Sequence, residues 1–146
     1  VVVGWTRRFD FDGLTAAARA VHGGARLVGT NDDPTHPTPD GLIPGGGSLL
    51  AAVATASGAT PVVAGKPHQP MADLIGQRAG DLVAVVGDRP STDGQLARRL
   101  GVPFALVLSG VTSADGREDG TGRPAGDPPA AVADDFRSLV RQAGIG

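Results

Sequence analysis

The chain has 146 residues, with 13 lysines and arginines against 15 aspartates and glutamates, a formal net charge of −2. So balanced a charge leaves no electrostatic footprint for nucleic acid or an anionic membrane surface, and the lack of cysteine excludes disulfides and thiolate metal sites. No apolar run approaches the roughly 20 residues that cross a bilayer, so the expectation is a soluble, cytoplasmic protein of one domain or two small lobes.

Val1 to Val3 reads as a strand and Leu14 to His22 as an alanine-rich helix stopped by Gly23-Gly24. Ala25 to Gly29 is a second strand. Thr30 to Gly47, with Pro34, Pro37, Pro39 and Pro44, reads as one long loop, and Ser48 to Ser57 as a helix ended by Gly58. Pro61 to Ala64 is a third strand, Pro70 to Arg78 a helix and Leu82 to Gly87 a fourth strand. Ser91 or Thr92 is expected to cap a helix running to Leu100, with Asp93 in its first turn. Phe104 to Ser109 is the fifth strand, and Gly110 to Pro128 is a turn-rich loop. The tail ends in an amphipathic helix with Phe136, Leu139 and Val140 on one face. The first residues, Val1-Val2-Val3-Gly4, open inside a strand with no initiator methionine, which gives the expectation of a piece of a longer protein.

Strands alternating with helices imply an α/β class with a mostly parallel sheet, in which ligands sit beyond the carboxyl ends of the strands. Two charged motifs fall at such ends. Lys66, the only lysine beside twelve arginines, stands in Ala64-Gly65-Lys66-Pro67 after an apolar run. The run Val85-Val86-Gly87-Asp88-Arg89-Pro90-Ser91-Thr92-Asp93 ends a second strand in two carboxylates. A compact ammonium reaches an anionic oxygen as a point charge, and carboxylate oxygens suit Mg²⁺, so the pairing points to magnesium-assisted phosphoryl chemistry. Asp88 as a turn residue, Asp93 as an ordinary first-turn acid and Lys66 as a solvated surface lysine are the alternatives.

Thr30-Asn31-Asp32-Asp33, Pro44-Gly45-Gly46-Gly47-Ser48-Leu49, Gly65-Lys66-Pro67 and Gly87-Asp88-Arg89-Pro90-Ser91-Thr92-Asp93 occur in that order. In order and spacing they resemble the haloacid dehalogenase-like (HAD) hydrolases. Within that superfamily they are similar to the capped subfamily IIA of nucleotide, phosphoglycolate and p-nitrophenyl phosphatases, from Val1 to about Leu139. The resemblance implies a Rossmann-like parallel core with an α/β cap: residues 1–59 as the C-terminal part of the cap and 60–146 as the C-terminal part of the core. It implies a Mg²⁺-dependent phosphatase for a small phosphorylated metabolite, and possible homodimers through the cap. It assigns Lys66 to holding the nucleophile and the phosphoryl group, Asp88 to ligating the metal and Asp93 to supporting that site. Asn31 and Asp33 fall on the cap loop that contacts substrate, although an Asx-turn explains them equally well.

The resemblance also implies an aspartyl nucleophile in an Asp-x-Asp-Gly motif at the end of a buried strand. Asp10-Phe11-Asp12-Gly13 matches in letters, and a compact capless phosphatase with Asp10 as nucleophile is one reading. The preceding Trp5-Thr6-Arg7-Arg8-Phe9 does not suit a buried parallel strand, so a turn and helix cap is the preferred one. On that reading the nucleophile precedes Val1 and the chain alone is inactive. A noncatalytic phosphate- or metal-binding module is the rival from another class. His22, His36 and His68 show no metal-ligand spacing.

Overall fold

A computed structural model describes residues 1–113 and 128–144, and the chain divides into two compact units, Val1–Gly65 and Lys66–Gly146. The first unit carries a three-stranded parallel sheet of β1 (Val2–Val3), β2 (Val28–Gly29) and β5 (Val62–Val63), in the order β1-β2-β5. Helices α1 (Phe11–His22) and α2 (Gly46–Ser57) supply its core: Leu14, Ala17 and Val21 from one, Leu50 and Val53 from the other, packed with Val3 and Leu27. Each fully buried leucine or valine contributes about 2 kcal/mol, so this one cluster is what holds short strands together. Val2, Val28 and Val62 lie in register across the sheet, and Val2 remains 71 % exposed.

One feature of this unit differs from expectation. The stretch read as one loop from Thr30 to Gly47 contains an antiparallel hairpin, β3 (Thr35–Thr38) and β4 (Gly41–Pro44). Its prolines are tolerated because a two-stranded ribbon has an outward edge on each strand, where a missing N–H costs nothing. Gly41, at φ 117°, makes the turn that a residue with a Cβ resists. The first compact unit runs through Gly65, and β5 belongs to its sheet by pairing with β2.

The second unit holds the parallel sheet β6 (Val85–Gly87), β7 (Phe104–Val107) and β8 (Ala131–Ala133), in that order. Every residue of central β7 is buried, as an all-parallel strand covered on both faces requires. Ala105 and Val107 face a cluster with Leu139 of α5 (Phe136–Gln142); Phe104 and Leu106 face Ala97 of α4 (Gln95–Leu100). Helix α3 (Gln69–Arg78) also packs against α4. Strand β8 was not expected, since three small residues after two prolines carry little strand signal.

Two local expectations are corrected here. Neither Ser91 nor Thr92 caps a helix; Pro90–Gly94 form a π-type turn entered from Arg89, and α4 starts only at Gln95. Phe136 is 61 % exposed, so of the expected apolar face Leu139 is the buried member. Most of the loop expected from Gly110 to Pro128 lies outside the described residues. Asp135 caps α5 by accepting the Ser138 N–H at 2.7 Å, and that bond holds its carboxyl below the usual carboxylate range.

Candidate active site

Strands β6 and β7 run parallel, so the residues after Gly87 and after Val107 emerge on the same rim of the second sheet. Asp88 leaves β6 directly, and the π-type turn then folds the chain back on itself. This return brings Asp93 over Gly87, so closely that a Cβ at position 87 would press on the Asp93 carboxylate. Asp93 Oδ1 accepts Lys66 Nζ at 2.6 Å and Oδ2 accepts the Arg89 N–H at 3.1 Å, so both oxygens are engaged. The partners are unequally buried: the Asp93 side chain is 5 % exposed and that of Lys66 49 %. A buried carboxylate thus anchors a half-exposed cation. Lys66 precedes Pro67 through a cis peptide bond.

Asp88 is held differently. Its Oδ2 accepts the Val111 N–H at 2.9 Å, from the loop that follows β7. Among the described residues its other oxygen has no partner. That atom is a hard, anionic donor at a strand end, which suits one ligand position of a Mg²⁺ ion that keeps several waters. No group of three His, Asp or Glu side chains able to hold a metal occurs among the described residues. Asp88 fits as one protein ligand of such a site, and Asp93, with both oxygens spent, fits as the holder of Lys66.

In the first unit, Asn31 Nδ2 donates to Asp33 Oδ2 at 3.1 Å, and Asn31 Oδ1 is buried without a partner. The same segment is tied to the start of α2: the Gly47 N–H donates to Asp33 O, and Ser48 Oγ to Pro34 O at 2.6 Å. Trp5 donates its indole N–H to Pro44 O at 3.0 Å and stacks at a tilt against His36. Asp10 is the N-cap of α1, with Oδ1 accepting the Gly13 N–H at 2.8 Å, and no strand leads into it. The Asp-x-Asp-Gly letters therefore mark a helix start in this chain, and α1 begins at Phe11, three residues before the expected Leu14. His22 lies at the end of α1, His36 in β3 and His68 at the N-cap of α3.

Lys66 and Asp93, named from sequence, are brought into contact; Asn31 and Asp33 meet each other. Gly87 stood in a quoted motif without a role of its own, and Gly110 and Val111, which shape Asp88, were missed. Their roles arise from chain segments meeting in space, and a glycine or a valine in sequence carries no sign of that.

The HAD-hydrolase-like family matches residues 63–139, just over half of the chain. The D-glycerol 3-phosphate phosphatase of Mycobacterium tuberculosis is 44 % identical over 115 residues, covering 78 % of this chain and 33 % of that protein. Among solved structures, the p-nitrophenyl phosphatase of Archaeoglobus fulgidus superposes with a TM-score of 0.83 at 34 % identity, over 97 % of this chain and 55 % of that one. The glycerol phosphate phosphatase of M. tuberculosis in complex with magnesium gives 0.76 at 39 % identity, over 95 % and 42 %. The chain spans between a third and a half of the length of curated relatives such as these. On the family match and these relatives together, the chain belongs to the HAD-hydrolase-like family.

Proposed function

We propose that the protein is a Mg²⁺-dependent phosphomonoesterase for a small phosphorylated metabolite in the cytoplasm. The observation that carries this reading is the rim of the second sheet, where a lysine anchored by a buried aspartate accompanies a second aspartate with an open oxygen. Relatives that are phosphatases, one of them solved with magnesium, support it. On this reading residues 66–146 belong to the catalytic core and the first unit to a cap, with Asn31 and Asp33 on the substrate loop.

Lys66 binds a non-bridging phosphoryl oxygen, and Asp93 keeps its ammonium in place so that no reorganisation is needed as charge develops. Asp88 supplies an anionic oxygen to the metal site. Magnesium, when bound, neutralises charge on the phosphoryl oxygens. Asp10 is occupied in capping α1, so the nucleophile is assigned to sequence outside these 146 residues.

The test is hydrolysis of p-nitrophenyl phosphate with Mg²⁺ or with EDTA. It is run on the 146-residue chain and on the longest polypeptide that carries it. Activity is expected in the longer form only, lost by about 100-fold or more in Lys66→Met and Asp88→Asn and kept in Asp10→Asn. Turnover by the 146-residue chain that Asp10→Asn abolishes would replace this reading with the compact one. Metal binding without turnover in either form would favour a noncatalytic module.

A further inference from the structure

Asp88 is an aspartate on a loop, and nothing in its own segment fixes its rotamer. What fixes it comes from the neighbouring strand. The loop after β7 lays the Val111 N–H against Oδ2 at 2.9 Å. The residue before it is Gly110, and a Cβ there would collide with the whole Asp88 side chain, with that same Oδ2 nearest and Cβ and Cγ close behind. Gly110 does not take the left-handed backbone conformation that favours glycine, so the position tolerates a side chain as far as its own backbone is concerned. What excludes a side chain is that of Asp88, from its Cβ to its carboxylate. Gly110 is also exposed, so core packing does not account for it.

We infer that Gly110 and the Val111 N–H are positioning residues for Asp88. The glycine leaves the space, and the amide pins Oδ2, so that the remaining oxygen is presented in one direction. This rests on the reading of Asp88 as a metal ligand and adds the elements that aim it. A carboxylate held by a fixed donor loses less freedom on binding a cation, and removing such outer partners weakens metal affinity by about 10- to 100-fold. The device is also economical: one N–H spends a single oxygen, where a lysine or arginine partner would neutralise the ligand.

The experiment measures Mn²⁺ affinity by electron paramagnetic resonance and the Val111 amide by NMR. It compares wild type, Gly110→Ala, Asp88→Gly and the double variant of the longest form of the protein. The expected result is about a tenfold loss of Mn²⁺ affinity in Gly110→Ala with the fold retained, because the new methyl meets the Asp88 Cβ as well as its carboxylate and the two segments must part. The Val111 amide resonance should shift in Gly110→Ala toward its Asp88→Gly position, and the double variant, with no side chain left at 88, should move it no further. Wild-type Mn²⁺ affinity in Gly110→Ala, with affinity lost in Asp88→Gly, overturns the positioning role and leaves the metal reading standing. Wild-type affinity in Asp88→Gly overturns both. An amide shift in the double variant beyond that of Asp88→Gly shows that Gly110 acts through something else.

Discussion

Removing either partner of the Lys66–Asp93 pair breaks the same 2.6 Å contact, yet the two losses should differ in size. In Lys66→Met the Asp93 carboxylate, 5 % exposed, has only the Arg89 N–H left to it. Stranding one member of a fully buried pair costs about 3–5 kcal/mol; since Lys66 is itself half in water, about 2–3 kcal/mol is the reasonable range here. In Asp93→Asn the ammonium rehydrates at a cost of up to about 1 kcal/mol, and the amide oxygen still accepts the Arg89 N–H. Lys66→Met should therefore be the more destabilising by about 1–3 kcal/mol. Urea unfolding followed by amide signals of the second unit, for both single variants and the double, measures the difference and the coupling. Equal losses, or a larger loss in Asp93→Asn, would refute the unequal burial on which the reasoning rests.

Gly87→Ala should cost about 1–3 kcal/mol by overpacking against the buried Asp93 carboxylate, which has nowhere to swing, and a thermal melt would register it. Asp10→Asn should leave stability within a few tenths of a kcal/mol, since asparagine caps as well as aspartate, while Asp10→Ala should lose about 1 kcal/mol; chemical denaturation of α1 separates them. The carboxyl of Asp135 titrates below its ordinary value because the folded state favours the anion. Its contribution to α5 is thus complete above the ordinary carboxylate range and disappears as pH falls through the lower folded value; the pH dependence of the Ser138 amide signal reports it.

The alternation of apolar runs with alanine-rich helices was enough to read an α/β chain, because parallel strands and their crossovers leave periodic marks. Strand ends also singled out Lys66 and Asp88, since charges immediately after apolar runs have few purposes, and Asp93 was singled out by the turn that follows. The hairpin at Thr35–Pro44 was hidden by its prolines, although Asp40-Gly41 carried the turn signal. The pairing of β5 with β2 could not be read, because it joins residues more than thirty positions apart. Nor was the cradle of Asp88 legible: Gly110 sits 22 residues beyond it, and only the side-by-side course of β6 and β7 makes them neighbours.

Lys66 is the sole side-chain amine in these 146 residues, and its outer half stands in solvent while its inner contact is fixed. An acylating reagent consequently has one side-chain target, and the extent of its reaction is a direct gauge of how tightly Asp93 holds the ammonium. Protection of that single amine by phosphate, or its release in Asp93→Asn, would appear as one mass increment on one peptide, giving the site a built-in chemical reporter without any engineered label.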